Sequence, residues 1–188
     1  MRWPVFAVFA FVTLALEVSL RNSLRLDNLY HGVSPSFVAC LLTFILMFAP
    51  RLTSLWACWT IGMVMDLLPG QDESTVRVIG PYALGLTFGG LMIIPLRTMV
   101  FRRRMLTMAF MTFVFALASS IVSVFLLTLR HWYPSSPTAD YSGLRDLTFR
   151  FFEALYSGVL AIPIGWLLLL SLPLWGFQTN APRRSAWW

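Results

Sequence analysis

The chain has 188 residues, of which 58% are apolar and 12% charged, and its formal net charge is +6. A soluble globular domain carries about 25% charged residues, so half that share disfavours water as the solvent. The fourteen basic residues are all arginine and lie mostly between apolar stretches, with no basic stripe interleaved with exposed aromatics; this excludes a nucleic-acid partner and suits the positive-inside bias of a protein in a lipid bilayer.

At ~20 residues per crossing, the sequence predicts an all-α integral membrane protein with one domain over 1–178, six transmembrane helices and a short cytoplasmic tail at 179–188. The first span covers 4–20, with Pro4 tolerated in a first turn that has no donor to lose. This run resembles a signal peptide, but it ends Leu16-Glu17-Val18-Ser19-Leu20-Arg21 without a small-residue cleavage site and reads as a retained span. The second span covers 35–49 and the third 52–68. Pro50-Arg51 between them stops one helix and prefers the headgroups, so the two form an antiparallel hairpin. Both are short, fifteen residues reaching only ~22 Å. A full crossing is nevertheless expected, since a re-entrant loop has to be shielded from lipid.

The third span stops at Pro69-Gly70, the fourth covers 79–96, the fifth 105–129 and the sixth 151–172, closed by Pro173 and Trp175. In the connection before the sixth, Leu144, Leu147 and Phe151 stand at helical spacing and predict a short interfacial helix. With six spans, one side of the membrane holds Arg2, Arg51, Arg97, the cluster Arg102-Arg103-Arg104, Arg183 and Arg184 with no acid. Both termini are therefore expected in the cytoplasm, with the chain multi-pass in the membrane.

Ionisable groups inside spans are expensive and are functional candidates by default. Glu17, Asp66 and Glu153 qualify, all at similar depth just below the outer surface. Glu17 pairs locally with Arg21, and Glu153 with Arg150, at helical spacings. Asp66 has no arginine within a turn, and is expected to hold a polar cluster with Arg21, Arg77 or Arg150 as counter-charge. Gly85 and Gly89 form GxxxG, and Ala116 and Ser120 are small-xxx-small, spacings that let helices approach within one chain. Gly62 and Gly158 read as similar packing notches.

Nothing points to catalysis or to a cofactor. No nucleophile has a base at a recognisable spacing, and there is no GxSxG, phosphate loop or paired histidines. His31 and His131 stand alone, and Cys40 and Cys58 lie inside apolar runs as small hydrophobes, so neither a metal nor a disulfide is assigned.

The stretch from Ser34 to Val78 resembles the central region of the rod shape-determining MreD family. It has a proline opening span two (Pro35), a proline and a basic residue between spans two and three (Pro50-Arg51), and a glycine, three residues and Asp-Leu ending span three (Gly62, then Asp66-Leu67). Arg77-Val78 before span four, and Gly158 with Pro163 in the last span, are also similar to the family. Where members carry a further glycine after the Asp-Leu motif, this chain has Asp72-Glu73-Ser74-Thr75, and the tail ending Trp187-Trp188 has no counterpart.

The resemblance implies a non-enzymatic scaffold of the cell-elongation machinery. Its implied partners are an MreC-like single-span protein with a coiled coil, MreB filaments, and the SEDS-type glycosyltransferase and transpeptidase that build lateral peptidoglycan. The implied fold is similar to the membrane substrate-binding component of energy-coupling-factor vitamin transporters. A small-molecule transporter component of that architecture is the alternative reading, with Glu17, Asp66, Glu153 and Trp132 as candidate pocket residues.

Overall fold

In apolar surroundings a backbone must satisfy its own polar groups, and an uninterrupted apolar segment does so as a helix. The computed structural model describes residues 2–20, 23–24, 33–68, 80–97, 105–131 and 143–176, the side chains at 130–131 and 143–146 excepted. These form α1 (Trp3–Leu20), α2 (Phe37–Phe48), α3 (Arg51–Leu67), α4 (Pro81–Leu96), α5 (Met105–His131) and α6 (Gly143–Leu170), closed by a 3-10 turn, η1 (Leu172–Trp175). The described residues are thus all-helical. Trp3–Leu20, Met105–Leu129 and Leu147–Leu170 are long and apolar enough to cross a membrane, while α2 and α4 are apolar but shorter.

The start of α6 lies well before the one read in the sequence, and the start of α2 slightly after it. Leu144, Leu147 and Phe151 do not form a separate interfacial helix. They continue without a breaker into the apolar run, so one helix extends from Gly143 through Pro163 to Leu170. At the start of α2, Ser36 is the N-cap and its hydroxyl accepts from the Ala39 N–H, so the helix begins at Phe37.

Successive helices run antiparallel. Gly85 and Gly89 of α4 face Ser123 and Ser119 of α5, and further along Gly158 of α6 faces Phe113 and the Ala109 carbonyl of α5. At the middle is α2, in contact with all five other helices. Leu41, Leu42, Phe44, Ile45, Leu46 and Met47 on it are fully buried. A helix apolar on every side belongs in an interior, and α2 is the interior here. The surrounding helices turn Phe11, Leu52, Phe88, Leu106, Phe125 and Leu167 outward. An apolar exterior of this extent suits lipid.

The end of the described chain returns to its beginning. Trp175, fully buried, packs on Phe9 of α1 and Phe44 of α2, and its indole N–H donates to Ser171 Oγ at 3.0 Å. The Arg2 N–H donates to the Trp175 carbonyl at 3.1 Å, so the start of α1 and the end of α6 share one end of the bundle.

The α4–α5 contact rests on small residues. A Cβ at Gly85 would strike Ser123 Oγ and lie 2.8 Å from the Ser119 carbonyl oxygen, which is backbone and does not give way. At Gly90 the nearest atoms are side-chain ends, Cys58 Sγ and Leu46 Cδ2, each at 3.2 Å. Gly85→Ala should therefore cost about 1–3 kcal/mol as overpacking, and Gly90→Ala distinctly less. Unfolding of both variants in detergent micelles, followed by circular dichroism, checks the order.

Candidate functional site

A twelve-residue helix is about 18 Å long, well short of a hydrocarbon core of about 30 Å. Enclosed by other helices, α2 cannot carry its free N–H and C=O groups to water, so they need partners within the protein. At its N-terminus, Glu17 of α1 supplies one. The Phe37 N–H donates to Glu17 Oε2 at 2.6 Å and the Val38 N–H at 3.2 Å. Ser36 N–H donates to Ser157 Oγ of α6 at 2.8 Å, and Ser34 Oγ donates to Glu153 Oε1 at 3.4 Å. At the C-terminus, Arg97 from the end of α4 donates through Nη1 to the carbonyls of Leu46 at 2.9 Å and Ala49 at 2.7 Å. Carboxylate at the N-terminus and guanidinium at the C-terminus both match the helix dipole.

Asp66 does for α4 what Glu17 does for α2. It is buried at the end of α3. Its Oδ2 accepts from the N–H of Gly80 at 3.0 Å and of Ala83 at 3.1 Å, and its Oδ1 from the N–H of Tyr82 at 3.2 Å. The residue skipped is Pro81, which has no N–H to satisfy. Gly80 takes φ of 129°, open to glycine and strained for other residues. Gly62, one turn before Asp66, makes the approach possible, because a Cβ there would lie 2.5 Å from Ala83 Cα.

Asp66 was expected to draw an arginine counter-charge, and among the described residues it meets the N-terminus of α4. Arg21 and Arg77 lie outside the described residues, and Arg150 instead donates to the Tyr82 hydroxyl at 3.3 Å, its guanidinium 5.6 Å from the ring centre.

Between these caps lies a cavity of 160 Å³. Glu17, Glu153, Arg150 and Tyr82 border it, together with the hydroxyl-bearing Ser36, Ser119, Ser120, Ser123 and Ser157. Its apolar wall comes from Val38, Met65, Leu86 and Phe149. Glu17 and Glu153 attach to the α2 N-terminus and the segment before it, whereas Arg150 reaches across to α4.

Of the three membrane carboxylates, Glu17 and Glu153 therefore share one cavity, and Asp66 stands outside its lining, engaged with α4. Pro35 is buried just before α2, and Gly158 packs against α5. Pro50 caps α3 without a side-chain bond, and Arg51 and Leu67 are exposed at its two ends. Trp132 falls outside the described residues. Sequence reading missed the part played by Arg97, Tyr82, Ser36 and Ser157. Only Ser36 carried a local signal, a hydroxyl residue immediately before an apolar run. Among the described residues, no three His, Cys, Asp or Glu side chains group as metal ligands, and Cys40 and Cys58 are buried free thiols.

No protein-family model matches the chain, and no curated protein or solved structure matches it.

Because both carboxylate oxygens of Asp66 are used, its substitutions should fall in order. Asp66→Asn keeps an oxygen for Gly80 and Ala83 but turns an amide NH₂ toward the Tyr82 N–H, losing one bond. Asp66→Ala strands all three donors, at a cost of about 2 kcal/mol or more. Chemical unfolding in detergent should rank native above Asn and Asn above Ala; equal stability of all three would contradict the cap.

Proposed function

We propose that the chain is a non-enzymatic, multi-pass scaffold of the bacterial inner membrane, an MreD-like protein of six transmembrane helices with both termini in the cytoplasm. It works in cell elongation beside an MreC-like single-span coiled-coil protein, MreB, a SEDS glycosyltransferase and a transpeptidase. Its helix arrangement is then of the type used by the substrate-binding membrane component of energy-coupling-factor transporters.

The observation that carries this reading is the use made of Gly62 and Asp66, the residues at the centre of the MreD resemblance. They act as one unit, the glycine admitting the first turn of α4 and the carboxylate four residues on capping it. A motif devoted to fixing helices against each other suits a protein that presents stable faces to partners, and it requires no reaction. The meeting of Arg2 with Trp175 agrees with an even number of crossings. The undiluted arginines on that side support its being cytoplasmic under the positive-inside rule. The outward apolar faces supply what a single-span partner helix packs against in lipid.

A second reading, a small-molecule transporter component, is favoured by the polar cavity alone. Affinity purification of the tagged chain from its own membranes in mild detergent, with partners identified by mass spectrometry, separates the two. Recovery of an MreC-like protein and other elongation proteins is the expected result. Recovery of a pair of ATPases with a transmembrane coupling subunit would overturn the scaffold reading.

A further inference from the structure

A shortness that α2 makes good inside the protein falls on the membrane at α3 and α4. The two have 17 and 16 residues, about 25 and 24 Å of helix, against a hydrocarbon core of about 30 Å. Unlike α2 they face outward, with Leu52, Trp56 and Leu67 of α3 and Leu84, Phe88 and Met92 of α4 exposed. Charged groups mark their ends. Arg51 opens α3 and Asp66 stands near its close, about 22 Å away along the helix. Arg97 closes α4.

The helices α5 and α6 measure differently. Met105–Leu129 and Leu147–Leu170 are apolar over 25 and 24 residues, about 37 and 36 Å. A helix longer than the bilayer fits by tilting, whereas in a single chain a shorter one is met by snorkelling of its end groups or by thinning of the bilayer. Snorkelling is closed to two of the end groups here. Both oxygens of Asp66 are taken by N–H groups of α4 and Gly80, and the Arg97 guanidinium is turned onto carbonyls at the end of α2. The lipid has to come to them. Trp56 and Trp59 agree with this: they pair edge-to-face with ring centres 5.6 Å apart and, as helical side chains tilt toward the N-terminus, lean toward the Arg51 end. Indoles favour the boundary of the hydrocarbon, and a thin bilayer brings that boundary to them.

We propose that the α3–α4 side is a lipid-binding surface for a thin bilayer. Phospholipids with short acyl chains pack against it, and a membrane of ordinary thickness thins where it meets it. The proposal rests on the reading that α3 and α4 cross the membrane.

The test places the purified full chain in liposomes of one phosphatidylcholine at a time: dimyristoleoyl, dipalmitoleoyl, dioleoyl, dieicosenoyl and dierucoyl. Thermal unfolding is followed by reaction of a thiol dye with Cys40 and Cys58, which are buried in the fold. The midpoint should be highest in one of the two shortest lipids and lower by about 4 °C or more in the longest. Local thinning is read separately, from nitroxide labels at Leu52→Cys, Trp59→Cys and Leu67→Cys in dioleoyl bilayers, their depths taken from relaxation by oxygen and by a nickel chelate. The labels at positions 52 and 67 should both lie at the headgroup boundary, with the label at 59 deeper than either.

A midpoint that is flat across the series, or highest in dioleoyl or a longer lipid, would overturn the proposal. So would a label at 52 or 67 deep in the hydrocarbon. A label at 59 no deeper than the other two shows instead that α3 does not cross, and there the span reading fails first and the proposal with it.

Discussion

The constraint on which the structure depends is a short apolar helix enclosed by others, with backbone groups at both ends that need partners. Each α-helix leaves four N–H and four C=O groups without helical partners, and in apolar surroundings an unmet one costs several kcal/mol. For α2 the solution lies in Glu17 of α1 and its own N-cap Ser36 at one end, and in Arg97 from the end of α4 at the other. These bonds also fix neighbours. Among the described residues α1 packs mainly on α2 and η1, so Glu17 near its end, with the Arg2–Trp175 bond at its start, gives a largely exposed helix a definite position.

The same solution recurs at α4, where Asp66 reaches from the end of α3. In both cases a carboxylate near the end of one helix meets the N-terminus of the next in the chain, which antiparallel neighbours bring to the same level. Gathering carboxylates and serines at one end of the bundle has a consequence for packing. Polar groups that serve the backbone cannot also close up like aliphatic side chains, and the space left among them is the cavity. The structural duty of Glu17 and the cavity beside it therefore arise from one arrangement.

Much of the helical layout is legible in the sequence because apolar runs, Pro50 and the Pro-Gly pair at 69–70 are local signals. The membrane carboxylates were equally visible, since Glu17, Asp66 and Glu153 stand out against apolar neighbours. What they hold was not visible. Their partners are backbone N–H groups far along the chain, Phe37 for Glu17 and Ala83 for Asp66, and a backbone group is the same at every residue. Arg97 read only as one of the arginines on the cytoplasmic side for the same reason, although it donates to carbonyls of α2. Trp175 read as the residue closing the last span, because the turn that folds it under α1 and α2 contains Pro173, a residue that normally ends a helix. Gly62 was legible as a notch, and only the contact with Ala83 shows that the notch and Asp66 act together.

The most direct test of the central claim is hydrogen–deuterium exchange of the full chain in detergent, read on peptides covering the start of α2. Glu17→Ala should speed exchange at Phe37 and Val38 and loosen α1, while the α5–α6 pair keeps its protection. Unchanged protection at the start of α2 would contradict the account, since the buried helix would then hold its end without the carboxylate.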